Sequence, residues 1–195
     1  MKVGVLALQG DFDAHRRRLE QLGAEVILVR KPEQLDQVEA LIIPGGESST
    51  FLWHLEQHKF LEKLADFVRS RPTFGTCAGA ILLASEVSNP PQKSLAAMDI
   101  AIQRNAYGRQ VNSFIGELKW SLGGNPLEAV FIRAPKITRT GAKVEVLASE
   151  GNDPVLVRQG HLMAATFHPE LSADARVHQH FLETVRASLN LPSSL

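Results

Sequence analysis

The chain opens on an unbroken apolar run, Val3 to Leu8, which reads as a strand covered on both faces. The spacing then turns helical. Asp11 or Asp13 stands where a helix cap belongs, His15, Leu19 and Leu22 follow at helical intervals, and Gly23 ends the segment. Glu25 to Val29 is a second strand, and Pro32 suits the first turn of a short helix. Ala40 to Ile43 is a third strand, running into the turn Pro44-Gly45-Gly46-Glu47-Ser48-Ser49-Thr50. Phe51 to Ser70 carries apolar residues at helical spacing, with a break near Lys59. Thr73 to Thr76 is a fourth strand, and Ala78 to Glu86 is the helix behind it. Strands alternating with helices predict an α/β fold, a three-layer αβα sandwich around a mixed, mainly parallel sheet.

The second half is richer in strands. Met98 to Gln103, Phe114 to Leu122, Ala129 to Ile132, Val144 to Leu147, Val155 to Gln159 and Leu162 to Phe167 all qualify. Turn residues at Gly123-Gly124-Asn125 and Gly151-Asn152-Asp153 predict antiparallel hairpins among them. A helix from Ser172 to about Leu189 closes the pattern, and Ser88 to Ser94 is the most loop-like stretch. There is no repeat, low-complexity segment or linker, so residues 1–195 are expected to form one domain.

Composition narrows the partners. Apolar residues make up 44% and charged residues 22%, and 21 basic side chains balance 21 acidic ones. That balance points to neither nucleic acid nor an anionic membrane. Arg16-Arg17-Arg18 lies in an expected helix and reads as a solvated face. The first apolar run is too short for a secretion signal, and no run is long enough to span a bilayer. A single cysteine excludes an internal disulfide and fits a reducing compartment, so a cytoplasmic location is expected.

That cysteine is the strongest chemical signal. In Gly75-Thr76-Cys77-Ala78-Gly79 it stands between glycines, after a strand and before a helix. A side chain on such a turn stands clear of its neighbours, with the following N–H groups aimed at whatever it attacks. His168-Pro169-Glu170 also follows a strand, and Glu170 is placed to hold the second ring nitrogen of His168. A thiol, an imidazole and a carboxylate are the parts of a Cys-His-acid hydrolase. The other histidines, His15, His54, His58, His161, His178 and His180, lack such a setting, and no metal-ligand spacing occurs. The Gly45-Gly46 turn lacks the lysine of a phosphate loop. It suits an oxyanion hole instead, built from the N–H groups of Gly46 and Ala78.

Pro44-Gly45-Gly46-Glu47-Ser48, Gly75 to Gly79 and His168-Pro169-Glu170, in this order and spacing, resemble the class I (triad) glutamine amidotransferases. Leu8-Gln9-Gly10, Arg104-Asn105-Ala106-Tyr107-Gly108-Arg109-Gln110, Phe131-Ile132-Arg133-Ala134-Pro135 and Phe167 to Leu171 narrow the resemblance to the glutaminase subunits of two-part pyridoxal 5'-phosphate synthases. Two places depart from the pattern. Ala80 stands where a large aliphatic residue is usual, and Leu95-Ala96-Ala97 stands where glycine is common.

The resemblance implies a flavodoxin-like fold and hydrolysis of L-glutamine. It implies Cys77 as nucleophile, His168 as proton shuttle and Glu170 as the group that orients it. Gly46, Glu47, Ser48, Arg104, Ile132 and Arg133 are expected to bind glutamine, and Gln9 to couple the site to a partner. The partner is expected to be a synthase subunit that takes the ammonia in a hetero-oligomer, and no cofactor is expected. Two other readings stay open: the amidotransferase subunit of another pathway, such as histidine synthesis, and a non-catalytic regulatory binder of the same fold.

Overall fold

The computed structural model describes residues 1–57, 60–106 and 113–190. Its elements run β1 (Lys2–Leu6), α1 (Phe12–Gln21), β2 (Glu25–Val29), a 3-10 turn, β3 (Ala40–Ile43), α2 (Ser48–Gln57), α3 (Phe60–Ser70), β4 (Thr73–Thr76) and α4 (Ala78–Leu83). There follow β5 (Ala84–Ser88), β6 (Met98–Gln103), β7 (Ser113–Trp120), β8 (Leu127–Ile132), β9 (Lys136–Thr140), β10 (Glu145–Glu150), β11 (Asp153–Gln159), β12 (Leu162–Ala165), a second 3-10 turn at Pro169–Leu171, and α5 (Arg176–Ser188).

Among the described residues one nine-stranded sheet has the order β2-β1-β3-β4-β12-β11-β10-β7-β8. Its first five strands are mutually parallel and the pairings beyond β12 are antiparallel. Side chains alternate across the parallel strands. Val3, Val5, Ala40 and Ile42 join a core with Leu19 of α1 and Phe181 of α5. Leu6, Leu41 and Ile43 join the opposite core with Phe51 of α2 and Phe60 and Leu64 of α3. Helices thus cover both faces, and the fold is the expected αβα sandwich. The chain changes direction between β1 and β3, a topological switch point whose carboxyl edge is where ligands sit in such sheets.

Several details differ from the sequence pattern. The helix expected through Glu86 ends at Leu83, and β5 follows it into a second sheet of order β5-β6-β9. Strand β9 had no counterpart in the pattern. Asp11 occupies the N-cap of α1 without a side-chain cap bond. The break expected near Lys59 falls outside the described residues, between α2 and α3. The closing helix starts at Arg176 rather than Ser172, because a 3-10 turn takes the residues after His168.

The loop-like stretch from Ser88 is well fastened. Asn89 and Asn105 exchange side-chain-to-carbonyl bonds of 3.2 and 3.0 Å, and Gln92 accepts from the Ser48 hydroxyl at 2.9 Å. Ala96, at the departure from the glycine-bearing pattern, holds φ at +50°, a conformation that disfavours a side chain.

Candidate active site

Four loops leave the carboxyl ends of β1, β3, β4 and β12 side by side. The register pairs Ala165 at the end of β12 with Thr76 at the end of β4. The Cys77 N–H then donates to the Ala165 carbonyl at 2.8 Å, tying the two exits together. Cys77 itself is held at φ +47°, ψ −102°, a backbone strain of about 1–3 kcal/mol that the surrounding packing must offset. A Cβ on Gly75 would stand 2.5 Å from Gly79, and one on Gly79 would overlap the Ile43 carbonyl, so the flanking glycines let this elbow close.

His168 hangs from the end of β12, and its N–H donates to the Val130 carbonyl of β8 at 2.8 Å. Its ring and the Cys77 side chain both crowd Gly45. A Cβ there would lie 2.5 Å from His168 Cε1 and 3.3 Å from Cys77 Cβ. Behind the ring, His168 Nδ1 meets Glu170 Oε1 at 2.8 Å, and both residues are buried. Burial opposes a charge on His168. The hydrogen bonds with Cys77 and Glu170, and the negative charge of both, overcome that and push its pKa up to about 10. Burial would also raise the Glu170 pKa, but the neighbouring His15 and the His168 hydrogen bond hold it below the usual carboxylate range.

A cavity of about 310 Å³ opens onto this row. Cys77 and His168 form one side of it, with Gly46, Glu47 and Ser48 from the loop after β3. Arg104 follows β6, Ile132 ends β8 and Arg133 follows it. Every residue expected to touch glutamine therefore lines one space. Arg133 holds φ at +43°, a second strained backbone at the same cavity.

Glu47 has a structural part. Its carboxylate accepts the N–H of Ser49 at 3.1 Å and of Thr50 at 2.6 Å, capping α2. Burial opposes its charge, but these bonds and the Thr50 hydroxyl bring its pKa down to about 2. Arg104 bonds Glu47 Oε1 at 3.3 Å and Ser49 Oγ at 2.8 Å, so it is braced across the cavity mouth.

Glu170 and Ala78 stand behind the cavity wall rather than on it. Ala78 begins α4, where a helix amide has no partner in its own helix. Gly46 adopts φ +139°, and the Gln9 amide packs so closely that a Cβ on Gly46 would lie 2.5 Å from it. Gln9 Oε1 accepts the Glu47 N–H at 3.2 Å. Residues Tyr107 to Gln110 of the Arg104 segment lie outside the described residues.

The sequence pattern missed other parts. Asp11, Asn105, Ile81 and Pro135 also line the cavity. His15, read as lacking a setting, lies 3.3 Å from Glu170 Oε2. The available signal was its place in α1, a polar residue in the apolar series His15, Leu19, Leu22 on a helix that starts at the carboxyl edge. Asp11, His168 and Glu170 each bring a ligand atom within 4.8 Å of the others. His168 and Glu170 of this trio are already bonded to each other.

Known proteins resemble this chain in sequence and fold. Residues 5–187 match the SNO glutamine amidotransferase family. The chain is 61% identical over 186 residues to a protein of Koribacter versatilis named pyridoxal 5'-phosphate synthase subunit PdxT, spanning 95% of this chain and 96% of that one. It is 50% identical over 188 residues to the protein of that name from Thermotoga petrophila, spanning 95% and 100%. A crystal structure described as a glutamine amidotransferase superposes with a TM-score of 0.88 at 47% identity, over 94% of this chain and 98% of that one. The crystal structure of a putative GMP synthase component from Thermoplasma acidophilum, 15% identical, shares the fold with a TM-score of 0.72 over 97% and 96%. By family match, relatives and fold together, the chain belongs to the SNO glutamine amidotransferase family.

Proposed function

We propose that the chain hydrolyses L-glutamine to L-glutamate and ammonia, as the glutaminase subunit of a pyridoxal 5'-phosphate synthase. The observation that carries the reading is Cys77 and His168 on the wall of a cavity whose rim is the Glu47–Arg104 pair, with Glu170 bonded to His168 behind that wall.

In this reading His168 has already taken the proton of Cys77 and holds it while Cys77 Sγ attacks the carboxamide carbon. The Gly46 and Ala78 N–H groups receive the developing oxyanion. The C–N bond then breaks, His168 returns its proton to the leaving nitrogen, and ammonia departs from a thioester on Cys77. Water attacks the thioester and gives a proton to His168, and the C–S bond breaks to release glutamate and return the sulfur to its place beside a protonated His168. Glu170 keeps the His168 Nδ1–H pointed inward and supports the imidazolium formed in each half. Arg104, Arg133, Ile132, Glu47 and Ser48 hold the rest of the substrate. Each step needs only a nucleophile, a proton shuttle and an oxyanion hole.

The relatives named as subunits of pyridoxal 5'-phosphate synthase support a synthase partner that consumes the ammonia. We read residues 1–195 as one glutaminase domain, working in the cytoplasm in a hetero-oligomer with that subunit. Gln9, which holds the Glu47 N–H and covers Gly46, is placed to link docking of the partner to the oxyanion hole.

The test is Cys77→Ala, assayed with the synthase subunit present. Glutamine hydrolysis falls by several powers of ten, while synthesis from added ammonia survives. Glutamate release by the variant at a rate near the wild type would refute the mechanism.

A further inference from the structure

Glu170 turns one oxygen to His168 and the other to His15. His15 is wholly buried on the inner face of α1. Its Nε2 stands 3.3 Å from Glu170 Oε2 and 3.2 Å from Thr76 Oγ1, the residue just before Cys77. Its Nδ1 stands 2.9 Å from Nε2 of His178, itself wholly buried on α5. Four side chains from β4, α1, α5 and the turn after β12 thus close a polar cluster behind the row.

Two proton arrangements fit those distances. In the first, His178 donates its Nε2–H to His15 Nδ1, and His15 donates its Nε2–H to Thr76 Oγ1 with Glu170 Oε2 close beside it. In the second, His15 donates from Nδ1 to His178 Nε2, leaving the remaining His178 proton on Nδ1. Nδ1 of His178 has no hydrogen-bond partner. The second arrangement therefore buries an unpaired N–H and sets the His15 lone pair against a carboxylate oxygen. The first leaves only a lone pair unpaired, which is the smaller penalty. Glu170 Oε2 has no well-aligned donor of its own, so His15, whose N–H leans toward Thr76, is the group that shields it.

We propose that His15 is a positioning residue for the hydrolysis, its Nε2–H bonded to Thr76 Oγ1 with the positive edge of that N–H set 3.3 Å from Glu170 Oε2, and that His178 fixes the His15 tautomer that makes this possible. Glu170 acts through His168, so a carboxylate without the His15 N–H edge beside its Oε2 holds that ring less firmly and takes up a proton more readily. The charges facing the cluster favour the same state. Burial holds His15 below the usual imidazole range, with Glu170 and Asp11 opposing and His168 reinforcing it. Burial, His15 and Arg18 hold His178 well below that range. Both rings are therefore neutral at neutral pH.

The kinetic consequences rest on the glutaminase reading, whereas the proton arrangement does not, and the test has an arm for each. NMR of the full chain labelled with ¹⁵N-histidine reads the tautomers directly. His15 and His178 are expected to be neutral and protonated at Nε2, and a proton on Nδ1 of His15 overturns the proposal. With the synthase subunit present, His15→Leu lowers kcat by roughly tenfold to a hundredfold, the scale on which outer partners of an active-site imidazole act. KM changes less, and the acid limb of the kcat profile moves to higher pH as Glu170 becomes easier to protonate.

His15→Gln, whose side-chain N–H reaches the same place, recovers most of the rate and returns the limb. Equal losses in both variants with an unmoved limb would show that His15 merely fills space. Should His15→Leu fail to fold, the tautomers decide alone. Absence of glutaminase activity in the intact complex would defeat the glutaminase reading and leave the tautomer result standing.

Discussion

The parallel and antiparallel halves of the large sheet serve the cavity differently. The parallel half delivers reacting groups from strand ends: Cys77 after β4, His168 after β12, and the Gly45-Gly46 turn after β3. Adjacent parallel strands ending at one edge bring residues 91 positions apart in sequence into a hydrogen-bonded row. The antiparallel half and the small sheet complete the rim opposite Glu47 and Ser48, with Ile132 and Arg133 at the end of β8 and Arg104 after β6. In this division chemistry is fixed by the register of β4 against β12, and grip by elements that can vary without disturbing it.

The division is broken first at its strongest point. Cys77→Ala, expected to lose hydrolysis by powers of ten, should still bind glutamine with a Kd within about threefold of the wild type, because the sulfur belongs to the reacting half. Calorimetry on the complex checks this, and a variant that no longer binds would show that chemistry and grip are not separable.

Next comes Arg104→Ala. It removes a cation braced by Glu47 and Ser49 at the rim, so KM should rise about tenfold while kcat changes by less than about threefold. A fall in kcat with constant KM would move Arg104 to the reacting half.

The smallest effect belongs to Ala96→Gly, remote from the row. Relief of the positive φ, partly offset by a more flexible unfolded chain, should raise stability by about 0.5 kcal/mol with no change in activity. Denaturant unfolding measures it, and a loss of stability would contradict the strain.

The same two halves differed in how far they could be read from sequence. Glu25–Val29, Ala40–Ile43 and Thr73–Thr76 matched their predicted bounds: the last two are buried throughout, and Glu25–Val29, a half-buried edge strand, keeps a short apolar run that starts just after the turn at Gly23. β9 was invisible because Lys136-Ile137-Thr138-Arg139-Thr140 has one buried apolar position and is made a strand by pairing with β6. β5 was hidden because Ala78 to Leu83 has good helix formers, and pairing with β6, rather than any turn residue, ends the helix at Leu83.

At the site, the spacing of Cys77, His168 and Glu170 carried a mechanism that single residues did not. The contact between His15 and His178 spans 163 positions, and nothing local to either residue announces it. The double duty of Glu47, capping α2 and bracing Arg104, likewise needed three dimensions.

The most direct test of the row is the titration of His168, followed by NMR in the wild type and in Cys77→Ala. Its raised pKa means that the charged ring supports the fold fully below the unfolded value of 6.5, and that this support is lost as pH rises through about 10. The account predicts an imidazolium that persists to about pH 10 in the wild type, and a midpoint shifted well downward once the sulfur is gone. A midpoint near 6.5 in the intact chain, unchanged by the substitution, would contradict it.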